Sequence, residues 1–327
     1  MSEHDEQPKQ PQRPENGERW TRDLLSRVAL AAVIEQRRSR RWSIFFKSLL
    51  FIFLFIALLS LYFPDDWRGR AVIGARHTAL VKVEGLIASN TDASAENIIA
   101  GLQAAFRDGN TAGVILWINS PGGSPVQAGE VYDEIIRLRE AYPTVSIYAV
   151  AADICASGGY YMAAATERIY ANRASIIGSI GVRADSFGFV EALEKLGIER
   201  RLYTSGENKS FLDPFLPPDP EDVRHLQAML HDIHQQFVVA VRRGRGERLQ
   251  ETPELFTGLV WTGESSLELG LIDGFATTRL VAEEIIGART VVDYTRRSPL
   301  FERVFQGVQS ALSQALVRTL TPTDSLR

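Results

Sequence analysis

A single cysteine, Cys155, stands among the 327 residues, which excludes an internal disulfide framework. The compartment therefore has to be read from something other than cysteines. Histidine is also scarce, with only His4, His77, His225, His231 and His234. The last three share one helical stretch, but no H-E-x-x-H occurs and the carboxylate partners of a zinc site are missing. Charge of one sign is lacking too: 36 basic against 40 acidic residues leave a net charge of −4. Basic residues dominate no folded stretch, which argues against a nucleic-acid partner. No internal repeat is visible, and no long linker follows the N-terminal apolar run. With 45% hydrophobic and 23% charged residues, the chain fits one large or two small folded domains.

One long hydrophobic run is present. Ile44–Phe63 (IFFKSLLFIFLFIALLSLYF) carries one charge, Lys47, near its end, where it can snorkel to an interface. A helix of about 20 apolar residues spans a bilayer core. The run ends in Leu61-Tyr62-Phe63-Pro64-Asp65, without the small-residue cleavage pattern of a signal peptide. The basic cluster Arg37–Arg41 precedes it, and Asp65 and Asp66 follow. The positive-inside rule then puts the N-terminus in the cytoplasm and the rest outside the inner (plasma) membrane, in the periplasm of a two-membrane bacterium. The expected organisation is a cytoplasmic tail over 1–43, a transmembrane anchor over 44–63, a linker over 64–77 and an extracytoplasmic domain over 78–327. Residues 1–19 read as a disordered tail. Trp20–Arg41 combines helical apolar spacing with many Arg, which suits either the anionic inner leaflet or a plain helical extension of the anchor.

Beyond the linker, short β-branched runs alternate with helical stretches, as in an α/β fold with mainly parallel strands. Strands are expected at Thr78–Val83, Gly113–Ile118, Val145–Val150, Ile169–Ala171, Ile176–Val182, Arg200–Tyr203 and Thr290–Tyr294. Helices are expected at Ala95–Arg107 (capped by Ser94), Gln127–Ala141, Ser157–Ala165, Phe189–Leu196, Pro220–Arg242 and Phe301–Leu320. Gly113–Ile118 (GVILWI) has the continuous apolar character of a strand buried on both faces.

Four short motifs can carry chemistry. Asn119-Ser120-Pro121-Gly122-Gly123-Ser124 lies between a strand and a helix, where glycines let the chain turn and expose N–H groups able to hold an oxyanion. Alone it is more often structural, and it lacks the Lys of a phosphate-binding loop. Ala156-Ser157-Gly158-Gly159-Tyr160-Tyr161 puts a serine at the head of a short helix, whose dipole favours developing negative charge. The bland reading is an N-cap serine. Cys155, two residues earlier, reads as a small packing residue. Ile177-Gly178-Ser179-Ile180-Gly181-Val182 holds one polar side chain, Ser179, among apolar neighbours. It could bond a buried amine or simply the nearby backbone. Thr204–Ser210 carries Lys209 after a turn; taken alone, such a lysine is a solvated surface residue. A serine needs a base to become a nucleophile. Burial makes a lysine amine available for that work, and Ser-Lys pairs are a recognised variant of the serine triad.

Together the four motifs, in this order and spacing, resemble the bacterial signal peptide peptidase family SppA, including its shorter relative SohB. The resemblance covers roughly Leu80 to Phe275 and the single anchor. It implies that Ser157 is the nucleophile, Lys209 the general base, and Ser179 the residue that holds the lysine amine. It implies that the N–H groups of Gly123 and Gly158 form the oxyanion hole. It also implies a ClpP/crotonase-like superhelix of ββα-type turns, a homo-oligomeric ring close to membrane lipid, and no metal or cofactor. The substrates implied are cleaved signal peptides, and misfolded envelope proteins besides. Many members carry Tyr just before the lysine, where Asn208 stands here. The residues leave two other classes open: a crotonase-like acyl-CoA enzyme, which suits an extracytoplasmic location poorly, and a non-catalytic membrane scaffold.

Overall fold

The computed structural model describes residue 38 and residues 40–56 and 75–297. Contacts divide the chain into two units, Met1–Ala71 and Val72–Arg327. In the first, residues 40–56 form helix α1. Among the described residues no helix is long and apolar enough to cross a membrane. The expected span Ile44–Phe63 runs past residue 56, and the expected helix Phe301–Leu320 also lies outside the described residues.

The second unit is built on a mixed eight-stranded sheet. Its centre is made by β1 (His77–Glu84), β2 (Thr111–Ser120) and β3 (Ser146–Ala156), all parallel and joined by α2 (Ala95–Arg107) and α3 (Pro125–Ala141). Beyond β3 the sheet forks. The first half of β3 pairs with β4 (Arg168–Ala171), and its last residues pair with β5 (Ile176–Gly178). β6 (Val260–Thr262) closes one end antiparallel to β5, β7 (Gly274–Phe275) lies beside β4, and β8 (Val291–Asp293) pairs with β1. The remaining helices are α4 (Gly158–Ala164), α5 (Val190–Lys195), α6 (Pro220–Arg245), α7 (Gly263–Glu268) and α8 (Thr278–Leu280), the last running into a π-helical turn at Val281–Ile286.

The apolar runs of the central strands have a direct cause. Val114, Leu116 and Ile118 enter the main core, together with α2, α3, α4 and the C-terminal half of α6. Ile115 points the other way, into a smaller core with Leu80, Val150, Tyr170, Val281 and Ala282. A strand buried on both faces has no polar side.

Three expectations need correction. β3 runs to Ala156, past the expected end at Val150, because its last residues find β5 as a partner. β5 stops at Gly178, short of Val182, because Gly178 (φ 102°) and Ser179 (φ 52°) turn the backbone out of the extended region. Arg200–Tyr203 forms no strand, since the exposed segment finds no neighbouring strand to pair with among the described residues. β6, β7, α7 and α8 are additions to the expected set.

Candidate active site

Among the described residues, three serines stand at helix N-cap positions, and they behave differently. Ser94 accepts a hydrogen bond from Asn97 N–H and Ser124 accepts one from Gln127 N–H, so both side chains cap their helices. Ser157 heads α4, yet its side chain makes no capping bond. Its backbone sits at φ 50°, ψ −124°, a region that non-glycine residues seldom occupy. The bland reading of Ser157 as a cap is therefore set aside. Ser157 is half-buried, at a sharp strand-to-helix turn of the kind that presents a nucleophile.

The strain is held from two sides. Ser157 N–H donates to the Gly178 carbonyl at 2.8 Å, and Tyr161 N–H donates to the Ser157 carbonyl at 2.9 Å. Behind α4, the buried Tyr160 hydroxyl donates to the Leu271 carbonyl at 2.8 Å. Burial pushes the Tyr160 hydroxyl above its ordinary pKa and keeps it a neutral donor.

The turn Ser120–Ser124 packs against this serine. A Cβ on Gly122 would fall 2.6 Å from the Ser157 Cβ, so only glycine fits there. A Cβ on Gly123 would fall 2.1 Å from the Ile87 carbonyl oxygen. Ile87 forms a parallel bridge with Gly123. A Cβ on Gly158 would stand 3.5 Å from the Gly123 nitrogen, so the two glycines face each other. Gly158 is the first residue of α4, where N–H groups have no intrahelical partner. Among the described residues, the Gly123 N–H also has no acceptor. Among the described residues, two backbone donors without acceptors therefore lie beside a serine hydroxyl without a hydrogen bond, an arrangement able to hold an oxyanion.

Ser179 follows directly. It is half-buried at φ 52°, and its N–H donates to the Leu259 carbonyl at 2.7 Å. Its hydroxyl makes no hydrogen bond among the described residues. Lys209 is placed differently. It lies exposed in the turn after Gly206, its backbone N–H donating to the Gly206 carbonyl at 3.3 Å. Its amine has no hydrogen-bond or ion-pair partner among the described residues. Within one chain, then, Ser157, Gly158, Gly122 and Gly123 come together, while among the described residues no hydrogen bond or ion pair joins Lys209 to them.

Cys155 is wholly buried, and burial pushes its thiol well above the ordinary value, which leaves it an inert packing residue. Among the described residues no group of His, Cys, Asp and Glu could hold a metal ion. His234 bonds the Ile180 carbonyl and His225 packs edge-on against Phe211. An open cleft of about 460 Å³ lies at the fork of β3, lined by Trp117, Asp153, Asn172 and Thr277, and it contains none of the site residues. Sequence reasoning missed β6 and the Leu259 carbonyl just before it, which braces Ser179. The short apolar run Leu259–Trp261 was its only signal.

Comparison with known proteins bears on this constellation. The family model described as peptidase family S49 matches residues 143–290, and the model described as Clp protease matches residues 80–178. A Synechocystis protein named "Putative protease slr0021" is 34% identical over 199 residues, covering 61% of this chain and 69% of that protein. An Enterococcus faecium protein named "Putative signal peptide peptidase SppA" is 29% identical over 261 residues, covering 75% of both. A Brucella abortus protein named "Na(+)/H(+) antiporter NhaA" is 44% identical over 186 residues, or 57% of this chain. The chain spans only 25% of that protein's length, and 23% of its Brucella melitensis counterpart. A match to a quarter of a protein does not carry the whole protein's name across.

Proposed function

This chain belongs to peptidase family S49, a family of serine proteases, and from that premise we propose how it works. Ser157 is the nucleophile and Lys209 the general base. Neutral Lys209 takes the Ser157 hydroxyl proton as Oγ attacks a peptide carbonyl carbon. The carbonyl oxygen becomes an oxyanion held by the N–H groups of Gly123 and Gly158. As the C–N bond breaks, the Lys209 ammonium protonates the leaving amine, and water, deprotonated by Lys209, then hydrolyses the acyl-enzyme. Ser179 orients the lysine amine. The observation that carries this reading is the Ser157 hydroxyl: held at the head of α4 in a strained turn, without the capping bond that Ser94 and Ser124 make.

The base is completed by a second copy of the chain. Lys209 sits in a stretch, residues 181–236, that contains no buried residue. Phe187, Leu196 and Tyr203 of this stretch are 77%, 71% and 88% exposed. A lysine that must lose its proton needs a dry setting, and apolar side chains in such numbers want cover. A neighbouring copy in a ring satisfies both needs.

The substrates are apolar, extended peptides near a bilayer, above all cleaved signal peptides, and the anchor Ile44–Phe63 keeps the site at the outer face of the inner membrane. The test is peptidase activity of the detergent-solubilised full chain on an apolar fluorogenic peptide, followed across pH. Wild type should gain activity toward alkaline pH, and Ser157→Ala and Lys209→Ala should both be inactive. Full activity in either variant would overturn the assignment.

A further inference from the structure

We infer that Ser120 is a positioning residue for the oxyanion hole: its side chain holds the Gly123 N–H in its working direction. The inference rests on the assignment of Gly123 to that hole, made above.

Ser120 ends β2 and is 0% exposed. Its hydroxyl donates to the Gly85 carbonyl at 2.6 Å and accepts the Gly122 N–H at 3.1 Å. The second bond closes a turn of the kind serine makes with the backbone two residues on. The first reaches across to the loop that follows β1. That loop is sewn to the same turn by backbone bonds. Gly85 N–H donates to Asn119, Ile87 N–H donates to the Gly122 carbonyl at 2.9 Å, and Ser124 N–H donates to the Ile87 carbonyl at 2.8 Å.

Among the described residues, these bonds account for every donor of the turn but one. Pro121 has no N–H. Gly122 N–H is taken by Ser120, and Ser124 N–H by Ile87. Only Gly123 N–H remains. Its direction follows from peptide planarity: the Gly122 carbonyl is tied to Ile87, so the N–H of the same trans peptide points to the opposite side. Gly158 lies close to this nitrogen, since a Cβ on Gly158 would stand 3.5 Å from it, and a Cβ on Gly122 would meet the Ser157 Cβ at 2.6 Å. Gly122 and Gly123 have positive φ, 102° and 153°, so two unrestrained glycines alone would let this plane swing. The Ser120 hydroxyl is the one side-chain group among these bonds. It fixes the N–H immediately before that plane and ties the turn to Gly85. Such placement matters because oxyanion donors work only when they are preorganised.

The test compares wild type with Ser120→Ala, Ser120→Thr and Ser157→Ala in the full-length chain. Active sites are counted with a serine-reactive phosphonate. The readouts are kcat per titrated site, KM, and the Ki of a peptide aldehyde, whose adduct with a serine mimics the tetrahedral intermediate. Loss of a whole oxyanion donor lowers kcat by about 100- to 1000-fold, so misdirecting one should lower it by about 10- to 100-fold. KM should hold within about twofold, because the ground-state carbonyl makes little use of the donor. The aldehyde Ki should rise by the factor that kcat/KM falls, and Ser120→Thr, which keeps the hydroxyl, should recover both. If Ser120→Ala does not fold, Ser120→Cys, with a weaker donor and acceptor, is measured in the same way and should show the same split. Wild-type kcat per site with wild-type aldehyde Ki would overturn the inference, as would a fall in kcat with no change in Ki. Activity surviving in Ser157→Ala would instead overturn the nucleophile assignment on which it rests.

Discussion

Residues 77–180 and residues 181–236 carry the two halves of the proposed dyad, and they are built in opposite ways. The first stretch supplies most of the core: β1, β2, β3, α2, α3 and α4 interlock, and Cys155, Ala156, Gly158 and Gly159 around Ser157 are all buried. The second has no buried residue, and its order is local. Arg200 forks onto Asp213, the rings of Phe189 and Phe215 stack 5.3 Å apart, and Leu212 N–H reaches Asp222. It joins the core through α6, whose buried residues, Phe237, Val238, Ala240, Val241 and Arg245, lie in its C-terminal half. The difference teaches that the conformation of Ser157 is set by packing within one chain. In the proposed reaction, the place of Lys209 would be set by what covers the second stretch.

The largest effect should come from separating the two halves genetically. Ser157→Ala and Lys209→Ala should each lower kcat by at least about 10⁴-fold. Co-assembled in one ring, the two inactive variants should regain measurable activity, because some sites then join an intact serine to an intact lysine from another copy. Failure to regain any, with mixed assembly verified by pull-down of differently tagged copies, would place the dyad within one chain.

Next in size is a charge set into the uncovered stretch. Phe187→Asp combined with Tyr203→Asp should dissociate the assembly, as measured by light scattering, and lower activity with it. The melting temperature of the dissociated chain should stay close to that of wild-type monomer, since neither residue is in the core. A large fall in that temperature would show that these side chains belong to the chain's own packing.

A smaller effect should follow at the root where α6 meets the core. Arg245 is buried against Asp273 at 2.7 Å, and Asp273 also accepts from Ile169 N–H and from Arg248. Burial works to raise the Asp273 pKa, but Arg245, the Ile169 N–H and Arg248 together outweigh it and hold the carboxyl below its usual value. A depressed carboxyl contributes stability that is full above its unfolded value of about 3.9 and is lost as pH falls through the lower folded value. Asp273→Asn strands Arg245 and should cost about 3 kcal/mol at neutral pH. Its melting temperature should also fall less than that of wild type between pH 5 and strongly acidic pH, followed by circular dichroism.

The smallest effect separates capping serines from Ser157. Ser94→Ala should cost about 1 kcal/mol of stability and leave kcat unchanged. Ser157→Ala should abolish activity with almost no capping loss, because the side chain caps nothing. Matched chemical denaturation curves check both.

Much of the fold was legible because burial on both faces writes itself into composition. GVILWI reads as an interior strand without any structure, and Ser94 before an amphipathic run reads as a helix start. Elements held only by distant partners were not legible. β6 is three residues long, and β3 extends to Ala156 because β5 and Ser120 lie beside it. Arg200–Tyr203 has the local preferences of a strand, but a strand needs a neighbour. The candidate site divides the same way. Ser157 and the paired glycines were visible as a strand–Gly-Gly–helix pattern. Lys209 stood out only through resemblance, since a lysine after a turn looks like any surface lysine.

The sequence by itself determined the alternation of strands and helices, the two-sided burial of the central strands and the membership of Ser157 in a tight turn, since all three follow from side-chain polarity and from glycine at fixed offsets. Tertiary structure alone decided that the Ser157 side chain makes no capping bond, that Gly122 lies against it, and that Ser120 ties the turn to Gly85. Those outcomes depend on the parallel register of β1, β2 and β3, which brings Gly85, Ser120 and Cys155 side by side across 70 residues of chain. Local preference carries no information about which distant backbone group will arrive there, and the chemistry of the site is set by that arrival.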